Sequence, residues 1–446
     1  MTDQITRRVF LRRAAASGSI LTVPGLLAAC GGGGSGPASS TGSTEAHKLS
    51  KVLHFSNWTL YIDNKPGGKH PSLDQFQQKY GVHVDYREDI NDNASFFSKI
   101  EPDLARGQST GRDIIVMTDN SRYPSLLVKK GWVEKLDKSA IPNIKNLVPQ
   151  QRHPSWDPNR DYSLPWQSGF TGVGWNEKLT DPVTSMGDLL GNRKLRGKVG
   201  LLTEFSDTLA LVMAYNGDDP SHITDKTFNK AIDTIKKAVH SGQIRQFYGN
   251  DYASALSNGD LVATMAWSGD IVQLQADNSH LKWQLPDTGG DIWTDNMLIP
   301  KGGNVYTASV YMNWVYTPKI AAEIEDYVNY VCPVLGAKEV LVKNDPAIAN
   351  NVLIFPTKQE LDNAHVIDPT VQGQMEAGNP KKNITGIYYI PPVVGAREAA
   401  LKVNPAVANN PLIFPTKHML DNIHLFDPSA LNNEKYLTAW QNLISA

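Results

Sequence analysis

The sequence has few cysteines and lacks the common motifs of metal and nucleotide sites. Cys30 and Cys332 are the only two cysteines among 446 residues, so an internal disulfide framework is excluded. No H-E-x-x-H motif, P-loop or Cys/His cluster is present, and these are the usual sequence signals of zinc and nucleotide sites. We therefore expect neither a metal nor a cofactor.

Two short motifs match enzyme signatures in their letters but not in their context. Residues 107–111, "GQSTG", match G-x-S-x-G, yet they lie between a predicted helix and the next strand, whereas a nucleophile elbow follows a strand. Residues 169–176, "GFTGVGWN", lack the third glycine of a dinucleotide fingerprint and are typical of a strand of small residues. Ser109 is therefore not predicted to be a nucleophile, and we expect no enzyme.

The chain also has little net charge. Its 43 basic and 45 acidic residues give a formal charge of −2, and residues 1–29 contain four of the basic residues but one acidic residue. A mature chain without that segment is mildly acidic, which excludes the basic face that nucleic-acid binding needs. The balance weakly favours a cationic partner.

The first 29 residues are typical of a bacterial export signal. Arg7 and Arg8 begin a twin-arginine pattern, and the apolar stretch that follows is too short to span a membrane as a helix. "LAAC", which ends at Cys30, resembles a lipobox, and this predicts a lipid on Cys30 that anchors the protein to the outer face of the cell membrane. Residues 30–50 are rich in Gly, Ser and Thr and predict a flexible tether. A buried N-terminal helix is the alternative.

Strand-like runs alternate with amphipathic helical segments after residue 50, which predicts an α/β fold with largely parallel sheets. Predicted strands are 51–58, 82–88 and 112–118, and predicted helices are 71–81, 96–107 and 227–242. Gly81 and Gly242 end two of these helices, and Pro102 is expected to break a third.

The C-terminal region contains a duplicated segment. Residues 330–369 recur at 389–428, with 24 of 40 positions identical. Two copies are too few for a solenoid, which needs about three repeats. We interpret the pair as a tandem duplication in a fold that needs one copy, and either copy is a candidate for the original position.

Tryptophans stand beside polar residues near three predicted strand ends. They occur in "SNWTLY" (56–61), "MAWSGD" (265–270) and "IWTDN" (292–296). Each alone is more typical of a core residue than of a ligand contact. Together with the export signal, "DIIVMTD" (113–119) and "GGDIWTDNMLIPKG" (289–302), they resemble the polyamine-binding proteins of bacterial ABC importers over about residues 51–369.

This resemblance implies a two-lobed periplasmic-binding-protein fold of type II, with a hinge and a cleft between the lobes. By this likeness, lobe 1 comprises 51–166 and 294–338, and lobe 2 comprises 167–293 and 339–446. The implied function is the monomeric, extracytoplasmic substrate-binding component of an ABC importer. It captures putrescine or spermidine in the cleft and delivers it to a permease in the cytoplasmic membrane.

A polyamine presents methylene groups and ammonium groups, so its site needs flat apolar walls and carboxylates. The ligand-binding residues implied by the resemblance are Trp58, Thr59, Tyr61, Thr118, Asp207, Trp267, Trp293, Asp295 and Tyr330. The three indoles are the expected walls, and Asp295 is the expected partner of an inner amine. Asp207 is the candidate for a terminal amine, with Glu204 as its rival, and Tyr389 is the counterpart of Tyr330 in the second copy.

Two residues depart from the pattern of the spermidine binders. Leu60 replaces a common glutamate, and Asn120 replaces a usual aromatic residue, so putrescine or another small cationic amine remains an alternative to spermidine. Asp207 has a structural alternative as a helix N-cap. A protein of similar fold for an uncharged or anionic solute is a second alternative, and an arginine pair in the cleft would favour the anionic case. An exported enzyme is a third, and it needs a nucleophile and a base in contact.

Overall fold

The computed structural model describes residues 47–65, 67–275, 277–337, 340, 353–354, 423–424 and 426–445. The strands are β1 Val52–Trp58, β2 His83–Ile90, β3 Ile114–Thr118, β4 Ser163–Asn176, β5 Val199–Leu202, β6 Ile244–Tyr248, β7 Ala263–Trp267, β8 Leu281–Gln284, β9 Gly290–Leu298, β10 Val331–Cys332, β11 Leu353–Ile354 and β12 Ile423–His424. The helices are α1 Pro71–Tyr80, α2 Asn93–Ala105, α3 Tyr123–Lys129, α4 Met186–Gly191, α5 Phe205–Tyr215, α6 Asp225–His240, α7 Tyr252–Asn258, α8 Ser268–Gln275, α9 Val305–Val315, α10 Pro318–Val328 and α11 Glu434–Ile444.

The strands form one mixed sheet in the order β2-β1-β3-β9-β4-β7-β5-β6. Each end of this order is parallel: β1 pairs with β2 and β3, and β5 pairs with β6 and β7. Between these groups, β9 and β4 run antiparallel to each other, β3 is antiparallel to β9, and β7 is antiparallel to β4. The expectation of largely parallel sheets therefore holds at both ends and is wrong at the centre.

The central pair β4 and β9 is buried along its whole length. A strand that is covered on both faces favours apolar or small residues, and "GFTGVGWN" follows this preference. Its Gly172 lies so close to Gln284 that an added Cβ would be 2.5 Å from the carbonyl oxygen of Gln284. The run of small residues therefore serves strand packing.

The helices follow the expected boundaries, with one correction at Pro102. Gly81 has φ 68° and caps α1, as expected, and α6 buries Phe228, Ile232 and Ile235. α2, in contrast, continues through Pro102 as a single helix. Proline removes one backbone hydrogen bond, but Ile100 and other apolar side chains of α2 are buried on both sides of it, and this packing stabilises the helix.

The two outermost strands of the sheet end in turns that contact each other. The backbone N–H of Asn250, after β6, donates to the carbonyl oxygen of Asn91, after β2, at 2.8 Å. The N–H of Asp251 donates to Asn91 Oδ1 at 3.1 Å, and Asn91 Nδ2 donates to Asp251 Oδ1 at 3.3 Å. The sheet therefore curls, and its two parallel ends face each other.

The described C-terminal strands come from both copies of the duplicated segment. β10 and β11 belong to the first copy and pair with each other, and β10 also pairs with β4. β12 belongs to the second copy and pairs with β9. Residues 1–46, with the signal and Cys30, and Tyr389 lie outside the described residues. Among the described helices, none is long and apolar enough to cross a membrane.

Candidate functional site

The carboxyl ends of the parallel strands meet around a cavity of about 340 Å³. Ligands of open α/β sheets bind in crevices outside such strand ends. The lining residues are Trp58, Thr59, Tyr61, Thr118, Glu204, Asp207, Asn250, Trp267, Asp270, Trp293, Asp295 and Tyr330. The structure thus brings together all nine residues that the sequence assigned to ligand binding. Glu204, the rival of Asp207, also lines the cavity, and the structure adds Asn250 and Asp270.

Aromatic rings form a continuous wall of this cavity. Trp267 lies edge-on to Trp58, with ring centroids 5.6 Å apart, and edge-on to Trp293 at 6.2 Å. Tyr330 continues the wall, 5.6 Å from Trp293 and 5.0 Å from Tyr61. These rings are buried, so their faces offer apolar surface and the negative side of a π-system in the same place.

Two glycines let these rings come close to the backbone. A Cβ on Gly169 of β4 would lie 2.8 Å from both Trp293 and Tyr330. A Cβ on Gly269 of α8 would lie 2.4 Å from the ring of Tyr330. Real Cβ atoms do not approach rings so closely, so a larger residue at either position would displace the wall.

Asp295 lies at the start of the β3–β9 pairing, directly opposite Thr118. Thr118 Oγ1 donates to Asp295 Oδ1 at 2.7 Å, and the Tyr61 hydroxyl donates to Oδ2 at 2.8 Å. Burial raises the pKa of Asp295 to about 7, because no cation compensates for the lost hydration of the carboxylate. Within the part of the chain that the structure describes, two donors orient the group and no cation pairs with it.

Asp270 is a second carboxylate of this kind, in the first turn of α8. Tyr330 donates to Oδ1 at 2.8 Å, and Tyr252 and Asn250 donate to Oδ2 at 2.8 and 2.9 Å. Burial raises the pKa of Asp270 to about 6. Asp270 was not among the predicted ligand-binding residues, although its motif "MAWSGD" places it three residues after Trp267.

Glu204 and Asp207 lie at the start of α5, after β5. Glu204 accepts hydrogen bonds from the backbone N–H and side chain of Asn93 at 2.6 and 2.9 Å. Asp207 accepts from Thr171, from Trp267 Nε1 at 3.3 Å and from Asn120 at 3.4 Å. Burial raises the pKa of both carboxyl groups. Both candidates for a terminal amine therefore face the same cavity.

The N-cap alternative for Asp207 is wrong. Glu204 occupies the N-cap position of α5 and makes no side-chain cap hydrogen bond, while Asp207 lies inside the first turn. Its carboxylate contacts side chains of Thr171, Trp267 and Asn120. Asp207 is therefore held for the cavity and does not cap the helix.

The two departures from the spermidine-binder pattern occupy different positions. Leu60 follows the exposed Thr59 and has a left-handed backbone, φ 58°. Asn120 follows β3, and its Nδ2 reaches the carboxylates of both Asp207 and Asp291. The side-chain amide of Asn120 thus bridges two acids at a position where the spermidine binders usually have an aromatic residue.

The lining is therefore apolar, aromatic and negatively charged. It contains four carboxylic acids and, among the described residues that line it, no lysine, arginine or histidine. Buried carboxylates favour partners that bring a positive charge, and aromatic faces favour methylene groups and cations. The cavity thus has the chemistry of a site for a small organic cation.

Comparison with known proteins agrees with this fold. A family model described as "bacterial extracellular solute-binding protein" matches residues 72–350. The chain belongs to this family. Solute-binding proteins of this family are transport components and not enzymes.

Named relatives and a solved structure extend the comparison. The chain is 26% identical over 328 residues to the spermidine/putrescine-binding periplasmic protein of Salmonella typhimurium, covering 73% of this chain and 89% of that protein. It is 28% identical over 322 residues to the putrescine-binding periplasmic protein SpuD of Pseudomonas aeruginosa, covering 67% and 83%. A putative spermidine/putrescine ABC transporter structure from Listeria monocytogenes aligns with TM-score 0.63 at 20% identity, covering 89% and 98%. These similarities establish the two-lobed periplasmic-binding-protein fold of type II.

Proposed function

We propose that this protein is the extracytoplasmic substrate-binding component of an ABC importer and that its ligand is a polyamine, putrescine or spermidine. The observation that carries the proposal is the cavity itself, where Trp58, Trp267 and Trp293 enclose carboxylates without a cation among the described lining residues. Relatives named for polyamine binding support the ligand class. An ABC permease in the cytoplasmic membrane receives the ligand.

The roles of the lining residues follow from their contacts. The indoles pack on the methylene groups, each contributing about 0.5 to 2 kcal/mol where it also faces an ammonium group. Asp295 and Asp270, each held by two or more donors, bind one region of the ligand. Asp207 and Glu204 bind another ammonium group. Thr59, Tyr61, Thr118 and Tyr330 line the site and orient these acids or the ligand.

The lobe division implied by the resemblance is compatible with this role. β4 and β9 connect the two parallel ends of the sheet, so we place the hinge in these strands and keep the lobes at 51–166 with 294–338 and 167–293 with 339–446. The ligand closes the cleft by contacting both lobes at once.

A ligand screen tests the proposal. Purified protein is heated with putrescine, spermidine, spermine, sugars and amino acids, and the unfolding temperature is recorded for each. We expect the polyamines to raise it and the other solutes to leave it unchanged, because a ligand that binds the folded state stabilises it. A shift produced by a sugar or an amino acid, with none from the polyamines, would contradict the proposal.

Membrane attachment is a separate part of the proposal. We place a lipid on Cys30 after twin-arginine export and removal of residues 1–29, with 30–50 as the tether. Cys30→Ala removes the thiol that carries the lipid, so the variant should move from the membrane fraction to the soluble fraction of the producing bacterium. Equal membrane association of wild type and Cys30→Ala would show that the anchor is absent.

A further inference from the structure

The acidic cluster extends beyond the cavity lining to Asp291, a residue of β9 that the function proposed above does not use. Asp291 is completely buried. Its Oδ2 accepts a hydrogen bond from Asn120 Nδ2 at 2.7 Å, and the same nitrogen lies 3.4 Å from Asp207 Oδ2. Asp291 Oδ1 has no hydrogen-bond partner among the described residues. One amide therefore bridges two buried carboxyl groups.

The surroundings of this pair are mainly acidic. Glu204 on α5, Asp119 after β3 and Asp295 on β9 are the other acids nearby. β4 contributes no titratable side chain, and β12 places the Cα of His424 in register with that of Asp291. No ion pair formed by the described side chains includes Asp207 or Asp291.

Two buried carboxylates beside one shared donor cannot both ionise without a large electrostatic penalty. Burial raises the pKa of Asp291 well above its ordinary value, and the charge of Asp207 raises it further. In such a pair the proton belongs to both groups together. Burial and this mutual repulsion both favour a state in which one of the two carboxyl groups keeps its proton.

We propose that Asp207 and Asp291 share one proton in the ligand-free protein, and that one ammonium group of a bound polyamine displaces this proton into the solvent. The inference rests on the proposed function. Before binding, the pair carries one proton and one negative charge. Afterwards it carries two negative charges beside one ammonium group, and no bond within the ligand changes.

Asp291 is then a positioning residue that acts through Asp207, since it does not line the cavity. Its effect is to double the negative charge that the ammonium group meets. A ligand that brings no positive charge to Asp207 leaves the proton in place. Asp291 thus favours ligands with a second cation over otherwise similar uncharged or singly charged solutes.

Titration calorimetry with putrescine tests the inference. Binding is measured at pH about 8 in two buffers with different enthalpies of ionisation, and the difference gives the number of protons released. At this pH Asp295 and Asp270, with pKa values of about 7 and 6, are already largely ionised, while amino groups with pKa values of about 10 stay protonated. We expect the wild type to release about one proton more than Asp291→Asn, since Glu204, whose pKa burial also raises, is present in both proteins and contributes equally to both.

His424→Asn is the control, because β12 brings the backbone of this histidine into register with Asp291 and an imidazole is the alternative source of a proton. This variant should release as many protons as the wild type, and loss of the release would overturn the inference. Wild-type binding without proton release, or unchanged release by Asp291→Asn, would overturn it too.

A second measurement covers the case in which Asp291→Asn does not fold. If one proton leaves on binding, the affinity of the wild type should rise by up to tenfold per pH unit between about pH 7.5 and 8.5, and a flat profile would refute the shared proton. Failure of both putrescine and spermidine to bind at any pH would contradict the proposed function instead.

Discussion

At the scale of single residues, Asp295 explains why the proposed site favours a cation over an uncharged ligand. Thr118 and Tyr61 hold both of its oxygens, so its geometry is fixed before a ligand arrives. Its pKa is raised to about 7, because burial removes the water that would hydrate the ionised carboxylate. An ammonium group replaces that hydration and adds a charge-assisted hydrogen bond.

Asp295→Asn removes this charge and keeps the shape of the side chain. The affinity for putrescine and spermidine should fall about ten- to a hundredfold, which corresponds to about 1.5 to 3 kcal/mol. Calorimetric titration measures the change. Asp113→Asn is the matched control, because Asp113 accepts hydrogen bonds from the backbone N–H groups of His54 and Asn304 at 2.8 and 2.7 Å, before β3 and away from the cavity. That variant should lose stability and keep its affinity, whereas an Asp295→Asn protein with wild-type affinity would refute the role of Asp295.

The same substitution should change the pH dependence of folding. A carboxyl group whose folded pKa is raised binds its proton more tightly in the folded protein, so its contribution favours folding at low pH and is lost as the pH rises from about 4 to about 7. Ligand-free Asp295→Asn should therefore unfold at a higher temperature than the wild type at pH about 8, with a smaller difference at about pH 5. Scanning calorimetry at both pH values measures this, and a difference that does not change with pH would argue against an ionised, buried Asp295.

The structure brings together on the cavity those residues that short sequence motifs singled out. Trp58, Trp267, Trp293 and Asp295 occur in short motifs beside strand ends, and the structure places all four on the cavity. Asn250 was missed because only the curl of the sheet brings the turn after β6 to the site. No local pattern in the sequence records that approach.

At the scale of elements, the contact between the turns after β2 and β6 closes the curled sheet. Gly249 makes this contact possible, because a Cβ at that position would lie 2.3 Å from the carbonyl oxygen of Asn91 and 2.5 Å from its Nδ2. The turns belong to different lobes in the division proposed above. We therefore expect their hydrogen bonds to form only when the cleft is closed.

Gly249→Ala should hinder closure without disrupting either lobe. A methyl group here separates the turns, so polyamine affinity should fall several-fold to tenfold while the unfolding temperature without ligand changes little. Titration calorimetry gives the affinity, and small-angle scattering with and without spermidine reports the compaction. Gly191→Ala, where an added Cβ meets nothing within 4 Å, should behave as the wild type. Ligand-induced compaction of Gly249→Ala equal to that of the wild type would show that these turns do not limit closure.

The elements themselves were largely predictable, and their pairing was not. The runs of strand-forming residues predicted β1, β2 and β3, and the spacing of Phe228, Ile232 and Ile235 predicted α6. An element that is buried on one face carries its apolar residues at regular intervals, which the sequence shows directly. The sequence contains no comparable pattern for the antiparallel direction of β4 and β9, since the composition of a strand that is buried on both faces does not depend on its direction. The prediction that Pro102 breaks α2 was wrong because the tertiary packing of the helix outweighs the local effect of proline.

At the scale of the whole molecule, the described residues of the duplicated segment come from both copies. The first copy supplies Tyr330 to the cavity and β10 and β11 to the sheet. The second copy supplies β12, and its last residues include the buried Phe426. We therefore propose a third alternative beside first copy and second copy, namely that one set of contacts is divided between them.

A deletion in register tests this division. Removing 355–413 joins Ile354 to Phe414, restores the shared "LIFP" sequence and keeps β10, β11 and β12. Removing 330–388 deletes an equal length but places Tyr389 at the position of Tyr330 and Pro391 at that of Cys332. Proline lacks the N–H that a strand within a sheet donates, and Cys332 is a buried residue of β10.

We expect the 355–413 deletion to fold cooperatively and to bind polyamines with nearly wild-type affinity, because every described contact of the two copies remains. The 330–388 deletion should also fold, since it retains one copy, but at a lower unfolding temperature because of Pro391. In that background Pro391→Cys restores the residue of β10 and should recover part of the lost stability. Thermal unfolding and titration with putrescine measure both deletions. Loss of cooperative unfolding in the 355–413 deletion would mean that the removed residues are needed for the fold, and that the chain depends on both copies.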